Sequence, residues 1–439
     1  MRRILWFRRD LRVEDNLLLS QEGDVLPIFI FDPAILESLA SNNRRVTFIF
    51  NSLLNLKSAL RARGLDLAIF YGKPADVFGW LLKNGSYNDV CASGDYDAYA
   101  LTRDREIAHL LKFNYLHDTY IFQPDEVLKK DKTPYQVFTP FYNCAKILFN
   151  PMHMEEFIPV SQPLIDFDYT KIHCIDQNGH STLPISLESI GFQPQSLTVS
   201  HTMSPNEKLE QFASKIASYA HDRDYMILDA TSSLSTDLRF GTISIRAILR
   251  WLSQQKKLGM DTEPFFRQLI FRDFYAMLLY HFPHLTTQNF RYRFEGIPND
   301  DYFEAFCTAQ TGVPIVDAGV RELLETGEMH NRVRMICASF FTKNLLLPWQ
   351  WGEAFFAQYL MDYDAASNIL SWQWSAGTGV DPQPYFRIFN PYTQTAKFDK
   401  NAAYIKKHLS QYFQEYPKQP IVDHKESSKK ALAYFKNTL

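Results

Sequence analysis

Four segments of this 439-residue chain gather residue types that could do chemistry. Thr231-Ser232-Ser233-Leu234-Ser235 puts four hydroxyls in five residues where a helical pattern begins. Side-chain donors beside the free N–H groups of a helix start suit a phosphate or diphosphate, and they equally suit plain N-capping. In Gln268–Tyr275, Arg272 and Asp273 stand among aromatic residues. Charges on an apolar helix need partners, either each other or a bound group. In Met329–Met335, Asn331 and Met335 share a helix face at i,i+4, and Arg334 can reach a buried anion or carboxylate. His330 reads as a structural histidine. Asp362–Trp374 holds Asp362, Asp364, Asn368, Trp372 and Trp374. Its carboxylates and amide can bond a polar heterocycle, and its indoles can form an apolar wall, stack on bases or simply fill core.

These segments need elements to hold them. Ile4–Phe7, Val25–Phe31, Leu65–Tyr71 and Asp89–Ala92 read as strands, and Asn43–Arg63, Ala75–Lys83 and Thr102–Phe113 as helices. Strands alternating with helices imply a parallel, Rossmann-like α/β sheet. Neither G-x-G-x-x-G after the first strand nor a P-loop is present, so this sheet is no ordinary NAD or ATP site. Residues 159–204 lose periodicity and read as a connector. From Glu207 onward the pattern is helical, with Phe290–Asn299 and Gly377–Phe398 as non-helical interruptions. The expected organisation is an α/β domain over 1–130, a connector over 131–204 and an all-helical domain over 205–439.

Composition excludes several classes. A 46% hydrophobic, 22% charged chain folds rather than staying disordered. A net charge of −3 leaves nucleic-acid binding to a local basic patch. No apolar run approaches the roughly 20 residues of a membrane span, and Met1–Asp10 lacks a signal core. The five cysteines are scattered without C-x-x-C, which argues against a metal cluster and fits free thiols in a reducing cytoplasm. Aromatic residues make up 15% of the chain, so the positions of the rings matter more than their number.

In this order the four segments resemble the photolyase/cryptochrome family. WFRRDLRVEDN (Trp6–Asn16), VFTPF (Val137–Phe141), PIVDAGVREL (Pro314–Leu323), MHNRVRMICASF, DYDAASNILSWQW, PYFRIFNP (Pro384–Pro391) and VDHK (Val422–Lys425) extend the likeness to about residue 430. It is strongest to class I bacterial cyclobutane pyrimidine dimer photolyases. The resemblance implies an antenna domain and a helical domain holding FAD, active as FADH⁻, with a second antenna chromophore of open identity. It implies cofactor contacts from Tyr219, Thr231, Ser232, Ser233, Leu234, Ser235, Arg272, Arg334, Asp362, Asp364 and Asn368. Arg334 would pair with Asp362, and Asn368 would face flavin N5. Gln268, Phe271, Asn331, Arg332, Met335 and Trp374 would line the pocket for a lesion flipped out of UV-damaged DNA. Arg387 and Gln394 would contact the DNA backbone, and Arg332, Lys343, Arg387 and Lys397 would form a basic rim. Trp372 and Trp349 would conduct electrons to the flavin. A monomer needing no protein partner is expected.

Departures keep other readings in view. Gln268 stands where dimer photolyases usually have glutamate, and Phe271 where they have tryptophan. Glutamine there is similar to (6-4) photolyases and animal cryptochromes, but Asn331 and Met335 replace the two histidines of those proteins. Gly296 takes the place of the outermost tryptophan, with Tyr292 and Phe294 nearby. Tyr99-Ala100 replaces a folate-binding signal. The alternatives are a cryptochrome-like photoreceptor, a (6-4) photolyase and a flavoprotein of other chemistry on the same fold.

Overall fold

Near the N-terminus the strand sequences are almost continuously apolar, as strands covered on both faces must be. In the computed structural model, which describes residues 1–410 and 419–438, they form one seven-stranded sheet. Its strands are β1 (Arg2–Phe7), β2 (Asp24–Phe31), β3 (Ala68–Tyr71), β4 (Asp89–Ser93), β5 (Lys112–Leu116), β6 (Ile172–Asp176) and β7 (Gly179–Leu183). The order is β5-β4-β1-β2-β3-β6-β7, parallel except for the β6–β7 hairpin. Helices α1 (Arg44–Arg61), α2 (Pro74–Asn84) and α3 (Ala98–Ala108) link the strands.

The chain divides into two compact units, each discontinuous in sequence. The first comprises Met1–Val127, Cys144–Lys208 and Ser233–Met260, and the second Leu128–Asn143, Leu209–Ser232 and Asp261–Leu439. Ile4, Trp6, Ile28, Phe70, Phe78 and Val90 centre the first core. Phe306, Phe341, Trp349, Phe356 and Trp372 belong to the second.

The WFRRDLRVEDN segment owes its charges to architecture. Arg12 donates to Asp118 at 2.5 Å, and Arg246 donates to the other Asp118 oxygen at 2.5 Å and to Asp15 at 2.9 Å. Arg250 reaches Asp15 at 2.8 Å. Burial raises the Asp15 carboxyl, but the Phe157 N–H and the Arg246 charge outweigh it and hold the group below the usual carboxylate range.

Three sequence expectations are corrected. Phe113 lies in β5, not in a helix running from Thr102, because the chain after α3 turns and pairs with β4. Residues 159–204 are more than a connector. They contribute β6 and β7, five residues each, too short for periodicity to reveal and paired to β3 from far along the sequence. Gly377–Phe398 is not wholly irregular, since Pro391–Phe398 is helical. The Asn390 side chain caps that helix by accepting from the Tyr392 and Thr393 N–H groups, and Pro391 suits its first turn.

Candidate active site

The second unit builds its site on α4 (Glu263–His281), α5 (Asn331–Ser339), α6 (Trp349–Tyr359) and α7 (Ala365–Ala376). The ends of α5 and α7 are set locally. Asp364 caps α7 by accepting from the Ser367 N–H at 3.0 Å, and Gly377 ends it at φ 85°. The His330 ring caps α5 by accepting from the Arg332 N–H, and burial lowers that imidazole to about 4. A neutral His330 keeps this cap, in line with a structural role.

Arg334 and Asp362 pair as the resemblance implies. The guanidinium contacts both carboxylate oxygens at 3.0 and 3.1 Å, and its Nε donates to the Met329 carbonyl. The side chains are 29% and 14% exposed, so the pair borders the surface of the site instead of being sealed. Asn368, one helical turn from Trp372, donates its amide to the Glu353 carboxyl at 3.0 Å and to the Glu353 carbonyl at 3.3 Å. Both partners are acceptors, so Asn368 must present N–H to them and keep its carbonyl oxygen for another donor. Burial raises the Glu353 carboxyl, against hydrogen bonds from Asn368 and Tyr363 that lower it. Sequence reasoning does not single out Glu353; a lone carboxylate in the aromatic helix WQWGEAFFAQY is the available signal.

Trp372 is buried between Phe356 and Phe341, with centroids at 4.9 and 5.4 Å. Gly352 permits this, because a Cβ there would lie 2.2 Å from the indole. Trp349 is also buried, and its Nε1 donates to Asn289 at 2.7 Å. Gly296 cannot be replaced by a ring. Its φ is +78°, and a Cβ would meet the Pro348 nitrogen at 2.6 Å. Tyr434 and Phe435 instead reach this region, lining a small cavity with Trp349, Phe294 and Gly296.

On the side that the resemblance gives to the substrate, Phe271 and Trp374 line one cavity of about 30 Å³ together with Phe274, Tyr275 and Asp381. Asn331 is exposed and approaches the Met335 sulfur at 3.8 Å, so these two do share a face. Arg332 pairs with Asp224 at 2.7 Å and lies over the Phe398 ring at 4.5 Å. Gln268 and Arg272 are half-buried on α4, and Gln394 is half-buried on the helix after Asn390. Arg387 is exposed in the loop beyond Gly377, where the Gln383 amide holds its carbonyl. Lys397 is exposed, but Lys343 is not part of any rim: it is fully buried, on a π-helical turn, Phe340–Asn344.

Tyr219 is buried edge-on against Phe212 and Phe265, and burial raises its phenol. The hydroxyl run spans the division of the chain: Thr231 and Ser232 fall in the second unit, and Ser233, Leu234 and Ser235 in the first. The helix there starts at Ser235 behind Leu234, with no side-chain cap hydrogen bond. Simple N-capping therefore does not account for the run.

These groups fit a flat heterocycle with polar edges: an amide whose N–H groups are held by Glu353, a half-buried guanidinium–carboxylate pair and neighbouring rings. A family model described as DNA photolyase matches residues 3–159, and one described as the FAD binding domain of DNA photolyase matches residues 265–414. The deoxyribodipyrimidine photo-lyase of Synechococcus sp. is 35% identical over 95% of this chain and 90% of its own length. That of Alkalihalophilus pseudofirmus is 32% identical over 98% and 97%. A class III photolyase from Agrobacterium tumefaciens superimposes with TM-score 0.85 at 28% identity, covering 99% of this chain and 97% of its own. A photolyase from Sulfolobus tokodaii, solved with two FAD molecules, gives 0.82 at 31% identity over the whole of both chains. With both domain models matched in order and relatives above 30% identity along nearly its full length, the chain belongs to the DNA photolyase family.

Proposed function

We propose that this protein repairs cyclobutane pyrimidine dimers in UV-damaged DNA by light-driven electron transfer from FADH⁻. The observation that carries the reading is the half-buried Arg334–Asp362 pair beside an Asn368 whose amide is oriented by Glu353. When bound, FADH⁻ would supply the light-excited electron that ring opening needs and would take it back afterwards. Arg334 holds a fixed positive charge that favours an anionic ring system. With its N–H groups taken by Glu353, Asn368 would offer its oxygen to a ring N–H, while Asp362 and Asp364 would take further polar edges. Tyr219, Arg272, Thr231 and Ser232 would hold the rest of the cofactor, with hydroxyls suited to the diphosphate.

Phe271 and Trp374 offer flat faces to a flipped-out dimer, whose poor stacking makes extrusion cheap. Gln268, Asn331 and Met335 line its polar and apolar edges, and Gln268 can donate an N–H to a dimer carbonyl. Arg332, Arg387 and Gln394 contact phosphates, which supplies the local charge that a net of −3 withholds overall. Trp372 and Trp349 would relay electrons, under light, from an external thiol reductant toward an oxidised cofactor before repair. Among the described residues no helix is long and apolar enough to cross a membrane. The reading takes the active species to be a cytoplasmic monomer, and a second chromophore is compatible with it.

Gln268 favours a second reading, a blue-light photoreceptor without repair. One experiment separates them. Reduced protein is illuminated with DNA containing thymine dimers or (6-4) products, and restored bases are counted. Restoration of dimers is expected, with higher turnover in Gln268→Glu. Restoration of neither substrate removes the repair reading.

A further inference from the structure

Phe271 is half-buried, and one face of its ring is covered by another ring. Phe138, from the VFTPF segment, stacks on it with centroids 3.6 Å apart and planes inclined by 23°. Phe138 is itself held on several sides. Phe274 meets it edge-on at 5.5 Å, and the Arg267 guanidinium lies 4.7 Å above it. Arg267 also covers Tyr142 at 4.6 Å, and the Tyr142 hydroxyl donates to Glu263. Glu263, Arg267 and Phe271 recur every fourth residue on α4, so one helix stripe receives Phe138 and Tyr142 as a set.

The Phe138 backbone is also tied. Its N–H opens the helix Phe138–Leu148, where no intrahelical acceptor exists, and the Asp381 carboxylate accepts it at 3.0 Å. Asp381 follows α7 and lines the same cavity as Phe271 and Trp374. One carboxylate thus connects the chain beyond Trp374 to the ring behind Phe271.

We infer that Phe138 and Asp381 are positioning residues for the ring wall that meets the lesion: Phe138 buttresses Phe271, and Asp381 fixes Phe138. The inference rests on the proposed role of Phe271 and Trp374. A buttressed ring has already lost its rotational freedom before the substrate arrives, so binding does not carry that ordering cost. It also gives the single phenyl ring of Phe271 the rigidity of a two-ring stack.

The test uses the FAD-loaded full chain, with affinity for dimer-containing and undamaged duplexes, FAD content and melting temperature measured together. Phe138→Leu keeps apolar bulk and removes the flat face. It is expected to weaken lesion binding about fivefold while affinity for undamaged duplex and FAD content stay unchanged and the melting temperature falls only slightly through the lost ring contacts. Phe138→Tyr restores binding. Asp381→Ala gives a smaller loss, which Asp381→Asn recovers through its carbonyl oxygen. Phe271→Ala serves as the reference. If it weakens lesion binding and Phe138→Leu does not, the buttress is wrong. The buttress is equally wrong if Phe138→Leu tightens lesion binding, or weakens both duplexes to the same degree. If Phe271→Ala itself leaves lesion affinity intact, the lesion wall has been misplaced and the proposed function fails at that point.

Discussion

In the first unit Arg12, Asp15, Asp118 and Arg246 close on one another with side chains at most 6% exposed, and Arg250 reaches Asp15 from the edge of the set. In the second, Arg334 and Asp362 also pair, yet the arginine keeps 29% of its side chain exposed. Both are arginine–carboxylate contacts at hydrogen-bond distance. The four buried members of the first offer nothing further to bind, since the Arg12 and Arg246 donors are aimed at carboxylates and carbonyls inside the unit. The second leaves an edge available to a third party. A sealed network holds the fold, and an open pair of the same chemistry makes a site.

Breaking the sealed network produces the largest effect. Asp118→Ala leaves Arg12 and Arg246 buried without their shared carboxylate, which costs about 3–5 kcal/mol. Urea unfolding at neutral pH is expected to show this loss, or the variant is recovered insoluble. A change under about 1 kcal/mol would mean the two arginines find other acceptors, and the contrast between the regions would weaken. Arg334→Met breaks the open pair instead. Here the expected loss is in cofactor retention, roughly tenfold or more for a charge-assisted contact, with little change in unfolding free energy. Equilibrium dialysis of FAD measures it; unaltered retention alongside a lower melting temperature would make Arg334–Asp362 a second structural pair.

Trp372→Phe leaves both charge sets untouched. It is expected to slow photoreduction of bound FAD by at least about tenfold, with FAD content and dimer repair by pre-reduced protein preserved. Absorbance decay under blue light with a thiol donor follows it. Unchanged kinetics would take Trp372 off the electron route and leave it as core, packed on Phe356 and Gly352.

The parallel sheet is legible in the sequence because apolar runs alternating with helical patterns leave a local trace. The Arg334–Asp362 pair follows instead from the family resemblance, the residues alone indicating only that Arg334 can reach some anion or carboxylate. β6 and β7 are not legible, since five-residue strands gain their stability from a partner remote in sequence. Nor is Glu353, although it orients Asn368. A hydrogen bond between neighbouring helices depends on how they are rotated, which spacing along one helix does not reveal. The Asp224 partner of Arg332 is hidden in the same way, because the two residues meet at 2.7 Å across more than a hundred positions of chain. Lys343 reads as a rim cation for a related reason. Lysine is rarely buried, and no local pattern around Lys343 marks the π-helical turn on which it lies buried.

Lys343 sharpens the comparison as a third way of burying charge. Its Nζ faces the Tyr385 carbonyl at 3.3 Å and the Phe435 ring at 4.3 Å, and burial lowers its ammonium to about 7. The ordinary value is 10.5, so between about pH 7 and 10 the unfolded chain holds a proton that the folded chain has released. Stability therefore rises with pH through that window, by at most ~1.4 kcal/mol per unit, and the full penalty is present below it. Lys343→Met keeps the apolar stem and removes the titration. The variant is expected to be the more stable protein at pH 6, with the advantage shrinking steadily toward pH 9. Urea midpoints across that range decide the matter. A difference that does not vary with pH would show that Lys343 keeps its proton when folded, its ammonium held by the carbonyl and ring as firmly as a carboxylate holds the arginines of the first unit.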